Sequence, residues 1–315
     1  MRPMATTPGR APVTVHAQAA YEAKGPLRPF EYEPAPLGPN DVEIRVSHCG
    51  ICHSDVHIVD GDWGIGEYPM VPGHEIVGTV AAAGAEVRGL TRGDRVGVGW
   101  QRGSCFRCEW CLRDEENLCP EKEATCVGHH GGFADRVRVD ARFAFSIPPA
   151  LPSEVAAPLL CGGVTVYAPL RRLARPGMRI GVLGIGGLGH LAVQFARAMG
   201  GVVTAISSSP QKESEARGLG AEAFISTHEP KALRSAAGTL DLILSTVFLS
   251  PDWPALLRAL RPRGTLEFAA RKGIAARVQV RPLSGGGRGG RRGAAGTSPL
   301  RCRARRLGCV VRGRC

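Results

Sequence analysis

In the first 152 residues the apolar positions fall in short, β-like runs separated by turn residues. Val42–Ser47, Ile76–Ala82, Arg95–Trp100 and Phe133–Val139 are the clearest of these. Long helical periodicity is scarce there. From about residue 153 the pattern changes. Arg179–Leu183, Val202–Ile206, Ala223–Ser226, Leu240–Leu244 and Thr265–Phe268 read as strands. Leu188–Met199, Gln211–Arg217, Pro230–Ala236 and Trp253–Leu260 read as the helices between them. Strands alternating with short helices predict a parallel, doubly wound sheet. A β-rich unit over residues 1–152 is therefore followed by an α/β unit over 153–268, with no internal repeat.

The composition supports two packed units. A chain of 315 residues, 43% hydrophobic and 22% charged, has ample apolar content for sizeable cores. This excludes a disordered chain, a disulfide-stapled miniprotein and a coiled coil. The net charge of +12 first suggests a nucleic-acid partner. However, residues 281–315 contain ten arginines and no acid, so +10 belongs to that stretch and +2 to the remainder. From Ser284 onward the chain is Gly/Arg-rich without periodicity, so residues 284–315 are expected to be a disordered, solvated tail. Aromatic residues to stack on bases are absent from it, which argues against nucleic acid.

Met1–Gln18 has no apolar core of the secretory type, and a cytoplasmic location is expected. The most membrane-like run, Ile180–Met199, contains His190, Gln194, Arg197 and several glycines, so no membrane span is expected. In a reducing compartment, clustered cysteines point to metal ligation rather than to disulfides.

Cys105, Cys108, Cys111 and Cys119 have the spacing C-x2-C-x2-C-x7-C. Four thiolates on one short loop can close a tetrahedron around zinc at about 2.3 Å each, leaving no open position. Such a site is structural. A second set is dispersed: Cys52 and His53 in GICHSD, His74 and Glu75 in VPGHE, and Cys161 in PLLCGG. No short pattern joins them. A lone buried cysteine is usually a small core residue, so spacing leaves ligation by this set open.

Gly184, Gly186 and Gly189, with Gly187, form a glycine-rich turn between an expected strand and an expected helix. That context suits a pyrophosphate at a helix N-terminus. About 20 residues further on, NAD sites place an acid against the ribose 2′-hydroxyl. Here stand Ser207, Ser208, Ser209 and Lys212, with no acid before Glu213. Hydroxyls and a lysine suit a 2′-phosphate and predict NADP over NAD; the alternative is a solvated turn before a helix.

HCGICHSDVH, YPMVPGHEIVG, GDRVGVGW, the four-cysteine lobe, APLLCGGVTVY and VLGIGGLGHLAVQFARAMG occur in this order. Together, from about Tyr21 to Leu266, they closely resemble the zinc-dependent medium-chain alcohol dehydrogenases. The cinnamyl-alcohol-dehydrogenase-like, NADP-preferring branch is the most similar. The resemblance implies a GroES-like catalytic domain followed by a Rossmann domain, and two zinc ions per chain. It makes Cys52, His74 and Cys161 the ligands of a catalytic zinc with one open position, and the four clustered cysteines the ligands of a structural one. Glu75 would be a nearby carboxylate able to ligate transiently, and Asp55 would orient His74. Ser54 would relay the alcohol proton, His57 would carry it towards solvent, and Trp63 would line the substrate pocket. Cys49 would not be a ligand. The implied reaction interconverts a small alcohol and its aldehyde by hydride transfer with NADP(H), in a homodimer. A polyol or other zinc-dependent dehydrogenase of the same superfamily is the weaker alternative.

The likeness breaks after RPRGTL. The family continues with a further Rossmann strand and a dimerisation strand, whereas Leu266 runs into EFAARKGIAARVQVRPLS. That phrase resembles the later return to the catalytic domain, which makes residues 269–283 a remnant with the intervening segment missing. The Gly/Arg tail resembles out-of-frame translation of a GC-rich gene. An incomplete Rossmann sheet would leave an open edge, remove a wall of the nicotinamide site and put the family's dimer in doubt. Cys302, Cys309 and Cys315 would be exposed thiols. These departures keep a second function open, a catalytically impaired homologue that still binds zinc.

Overall fold

The structure is a computed structural model that describes residues 13–247, 251–268, 279–282 and 309–312; for residue 230 and the last two segments only the backbone is described. Two units follow one another, as the hydrophobic pattern predicts. In the first, a two-stranded sheet of β1 (Val15–Ala19) and β2 (Arg28–Tyr32) precedes the main sheet. The main sheet is built on β3 (Asp41–Gly50), followed in the chain by α1 (His53–Val59), β4 (Glu75–Ala83) and β5 (Arg95–Val98). A small ribbon of β6 (Gln101–Gly103) and β7 (Glu123–Ala124) brackets the cysteine lobe. The main sheet then gains β8 (Arg136–Asp140) and β9 (Phe145–Ser146). Alternate residues of β3 and β4, among them Val42, Ile44, Val46, Ile76 and Val80, enter a core that also holds Phe133 and Val137.

The chain then crosses on a helical stretch: α2 (Ser153–Pro158), one π-helical turn (Leu159–Gly163) and α3 (Val164–Leu173). The hydrophobic pattern had not singled out this stretch. Ser153–Leu173 is long and apolar enough to cross a membrane by length and composition alone, a property expected of no segment here. Half of it is buried in the protein, however, where Ala156, Ala157, Val166 and Leu170 pack into the cores.

The second unit runs through β10 (Arg179–Leu183), α4 (Gly189–Ala198), β11 (Val202–Ser207), α5 (Glu213–Gly218) and β12 (Ala223–Ser226). It continues with α6 (Pro230–Ser235), β13 (Leu240–Ser245), α7 (Trp253–Ala259) and β14 (Leu260–Phe268). Its five strands are all parallel, in the order β12-β11-β10-β13-β14. Side-chain alternation covers both faces: Ile180, Val182, Leu242 and Leu244 pack with α4, whereas Leu183 and Ile243 pack with Leu256 of α7. The strand order reverses at β10, so the crevice at its carboxyl end is where a dinucleotide binds in such a sheet.

One expectation about the tail requires correction. Residues 284–315 were read as lacking strands, yet β15 (Gln279–Pro282) pairs with β16 (Cys309–Arg312), and β16 pairs antiparallel with His48–Gly50 of β3. The cause is an available edge. β8 covers β3 only over Asp41–Arg45, so its far half has free backbone groups. The pair Val310-Val311 has the β-branched composition to take that place. The side chains of Cys302, Cys309 and Cys315, and most of residues 269–315, lie outside what is described.

Among the described residues of the front sheet, Glu43 sits in a buried charge cluster. Glu43 on β3 is 1% exposed and accepts from Arg136 Nη1 (2.9 Å) and Arg138 Nε (2.9 Å) on β8. Burial alone would push its carboxyl up, but the two guanidiniums outweigh it and hold it below the usual carboxylate range. Glu43→Gln leaves two partly buried arginines unpaired and is expected to cost about 3 kcal/mol of stability at pH 7, measured by urea unfolding. The depressed value makes this contribution fully present above the unfolded carboxyl pKa, and it is lost as pH falls through the folded one. The gap between wild type and variant should therefore narrow under acid.

Candidate functional site

Three buried side chains from three parts of the chain meet where the two units join. Cys52 is the N-cap of α1: its Sγ accepts from Ser54 N (3.3 Å), while Asp55 Oδ2 accepts from Cys52 N (2.8 Å), a reciprocal cap. Asp55 also accepts through Oδ1 from Gly73 N (3.0 Å) and His74 Nδ1 (2.8 Å). One carboxylate thus ties the helix start to the loop before β4 and turns the Nε2 of His74 outward. The third member, Cys161, lies on the π-helical turn, after Pro158 and before Gly162-Gly163.

His74 Nε2 is 3.3 Å from Cys161 Sγ, and Cys52 Sγ is 3.9 Å from Cys161 Sγ. Together with Glu75, the donor atoms of these residues all lie within 4.8 Å of one another, and all four residues are buried. Zinc bonds of about 2.3 Å to sulfur and about 2.0 Å to nitrogen give tetrahedral edges of about 3.8 Å between sulfurs and about 3.6 Å between sulfur and nitrogen. The set fits that ion. Burial opposes ionisation of Cys52, yet the hydrogen bond from Cys161 and the charge on His74 bring it down to about 5. The Cys161 thiol, as donor in that bond, is raised. Burial also opposes protonation of His74, but Asp55 and then the two sulfurs outweigh it and push the ring up. Glu75 is raised by burial and by the Cys52 sulfur beside it.

The four-cysteine lobe matches its expected role in geometry. Sulfur–sulfur distances are 3.9 Å for Cys105–Cys111, 3.5 Å for Cys108–Cys111 and 3.5 Å for Cys105–Cys119, with all four donors within 4.8 Å. Backbone N–H groups, first that of Arg107, hold the Cys105 thiol down to about 7. Cys49 is buried in the front-sheet core beside Val71 and Phe133 and belongs to neither donor set.

Ser54 and His57 lie three residues apart on α1, on one helix face. Ser54 is buried, and His57 is a quarter exposed, with its Nδ1 2.7 Å from Asp62 Oδ2. His57 stacks on Trp63 (5.3 Å), Trp63 meets Trp100 edge-on (6.0 Å), and Trp100 meets His74 edge-on (5.0 Å). Two residues here were missed in the sequence. Trp100 ends a strand-like run and looked like core. Cys126 is buried with its sulfur within 4.8 Å of the Asp55 and His74 donors, and its lone position in the chain carried no signal. Asp55 already accepts from three N–H groups, one of them Nδ1 of His74, so the Nε2 of that ring is turned to the Cys161 sulfur.

The glycine turn closes tightly on the helix it opens. Gly184 has φ +89°, and a β-carbon on Gly189 would sit 1.7 Å from the Gly184 carbonyl oxygen. Gly186 has open space where a side chain would stand, which is room for a phosphate against the N-terminus of α4. Gly187 lies between them in the turn, its carbonyl 4.0 Å from where a β-carbon on Gly162 would stand. The phosphate turn therefore lies beside the segment that carries Cys161. Ser207 ends β11, Ser208 and Ser209 are exposed beyond it, and Lys212 pairs with Glu215 at 2.7 Å.

Known proteins agree with this architecture. Residues 38–149 match the alcohol dehydrogenase GroES-like domain family, and residues 187–285 the zinc-binding dehydrogenase family. Aldehyde reductase AdhA of Synechocystis is 49% identical over 255 residues, 81% of this chain and 76% of that protein. Cinnamyl alcohol dehydrogenase 7 of Arabidopsis thaliana is 43% identical over 275 residues, 84% of this chain and 77% of that one. Among solved structures, a cinnamyl alcohol dehydrogenase of Sorghum bicolor aligns with a TM-score of 0.83 at 34% identity, covering 95% of this chain and 98% of that one. A Helicobacter pylori cinnamyl alcohol dehydrogenase complexed with NADP(H) aligns at 0.75 and 34%, over 82% and 76%.

The fold and the site thus define a zinc-type dehydrogenase of two domains. The chain belongs to the zinc-dependent medium-chain alcohol dehydrogenases, in their cinnamyl-alcohol-dehydrogenase-like branch. It is an oxidoreductase of the alcohol–aldehyde class, a reading these relatives support over that of an impaired homologue.

Proposed function

We propose that this chain holds two zinc ions, one in each donor set, and reduces aldehydes to primary alcohols with NADPH, reversibly. The observation that carries the proposal is the buried trio of Cys52, His74 and Cys161: three protein donor atoms within 4.8 Å of one another, with a Glu75 carboxylate oxygen beside them. When bound, zinc polarises the substrate oxygen and the nicotinamide supplies or takes the hydride at the adjoining carbon.

The chain's own residues do the rest. Asp55 holds the imidazole of His74 in one orientation and one tautomer. The Ser54 hydroxyl, next to the cap of α1, would accept the alcohol proton while passing its own to the cofactor ribose, and His57, one turn further along and partly exposed, would take the proton from the ribose and exchange it with solvent. Asp62 accepts from Nδ1–H of His57, which leaves Nε2 free to receive that proton. Trp63 and Trp100, their rings 70° apart, form an aromatic corner next to His74, which favours aldehydes with an aromatic or unsaturated carbon skeleton. The α4 N-terminus and the Gly184–Gly189 turn take the pyrophosphate; Ser208, Ser209 and Lys212 face the 2′-phosphate.

NADPH-dependent reduction of an aromatic aldehyde, measured alongside zinc content, tests this reading directly: turnover with two zinc equivalents supports it, and zinc without turnover contradicts it. The cofactor preference is tested separately. Lys212→Ala is expected to raise KM for NADPH about tenfold, the worth of one charge-assisted hydrogen bond, and to leave KM for NADH unchanged. An equal change for both cofactors would exclude a role at the 2′-phosphate.

A further inference from the structure

Gly50 and Glu75 are direct partners across the antiparallel pair β3–β4. Both are buried, and the Glu75 carboxylate occupies the space that a side chain at position 50 would need. An added β-carbon on Gly50 would stand 1.9 Å from Glu75 Oε2 and 2.9 Å from Glu75 Cβ and Cδ. The other oxygen, Oε1, has no hydrogen-bond partner, and a Glu75 oxygen lies within 4.8 Å of the donor atoms of Cys52, His74 and Cys161. An acid thus rests beside the three donors, with one carboxyl oxygen in the space over Gly50.

Resting there leaves Oε1 without a protein hydrogen bond to tie it in place. The space over Gly50 permits it. A substituent at position 50 would meet Oε2 most closely, at 1.9 Å, and would also press on Glu75 Cβ at 2.9 Å, so the carboxylate at the tip of the side chain must swing away. The donor atoms of Cys52, His74 and Cys161 lie within 4.8 Å of a Glu75 oxygen, so they are within reach of a carboxylate displaced from that space. A carboxylate oxygen is a competent zinc ligand. We infer that Gly50 is a positioning residue: by leaving room for the Glu75 carboxylate, it keeps the fourth position of the Cys52–His74–Cys161 centre available to the substrate oxygen. This rests on the zinc reading above and adds to it the feature of the chain that keeps the centre open.

The test compares wild type, Gly50→Ala and the double variant Gly50→Ala/Glu75→Ala, each assayed for zinc content and, with cobalt(II) substituted, for its visible spectrum with and without imidazole as the entering ligand. Wild type should bind metal at this centre and change spectrum with imidazole. Gly50→Ala should keep its metal, lose the imidazole response and turn over about 10- to 100-fold more slowly. The double variant should regain the imidazole response, which a merely structural role for Gly50 would not produce. Three results would overturn the inference: Gly50→Ala responding like wild type, a double variant as unresponsive as the single one, or both variants failing to fold. If wild type itself holds no metal at this centre, the zinc reading has failed instead, and the two failures are told apart.

Discussion

Cys52→Ser is expected to reduce turnover by about 10⁴-fold or more while the protein stays folded and keeps the metal of its four-cysteine lobe. The size follows from the role: Lewis-acid stabilisation of a developing charge is worth several kcal/mol, and a serine hydroxyl is a poor zinc ligand. The substitution is also clean. Cys52 caps α1 through its side chain, and serine is a strongly preferred cap, so the hydrogen bond to Ser54 N persists. His74→Ala should abolish turnover too, but it leaves Asp55 Oδ1 without the imidazole in a buried site and so costs stability as well. The check is metal content, thermal unfolding and steady-state rate on one preparation of Cys52→Ser. One zinc per chain, near-native stability and no measurable rate are expected; a retained rate with one zinc per chain would exclude Cys52 from the catalytic centre.

The second large effect is on folding. Cys111→Ser should remove the lobe's metal and lower the unfolding temperature by about 10 °C, because metal binding and local folding are one process in such a loop. Outside the sulfurs the segment is held by short-range turns and the packing of Phe106 on Phe143 (5.8 Å). Its contacts include the exposed ion pair Arg107–Glu121 and one hydrogen bond from Gln101 Nε2 to Glu116 O (2.9 Å), and exposed pairs contribute at most about 1 kcal/mol. Metal analysis should find one equivalent, still at the Cys52 centre, and the rate per folded chain should remain within a few-fold of wild type. Loss of both metals together would show that the sites do not fold independently.

Much of this was legible in the sequence because the signals are local. The cysteine lobe is one loop, the glycine turn lies between a strand and a helix, and β10 and β12 begin and end where the apolar runs do. The catalytic set was not legible from spacing, since Cys52, His74 and Cys161 meet only through tertiary contacts between a helix cap, a loop and a π-helical turn. Family resemblance supplied that grouping, and the geometry now gives its physical reason in the hydrogen bonds of Asp55. Trp100 and Cys126 were missed for the opposite reason: each looks like ordinary core until its neighbours are known. The strand at Cys309–Arg312 was missed because its pairing depends on an edge of β3 that β8 leaves uncovered, which no local pattern records.

The openness of the Cys52–His74–Cys161 centre is tested most directly by a crystal structure of the zinc-loaded enzyme with anomalous data at the zinc edge. It should show two zinc peaks per chain, one enclosed by the four lobe sulfurs and one bonded to Cys52, His74 and Cys161 with a non-protein atom fourth. A single peak in the lobe, or a second peak closed by a fourth protein ligand both with and without substrate, would contradict it.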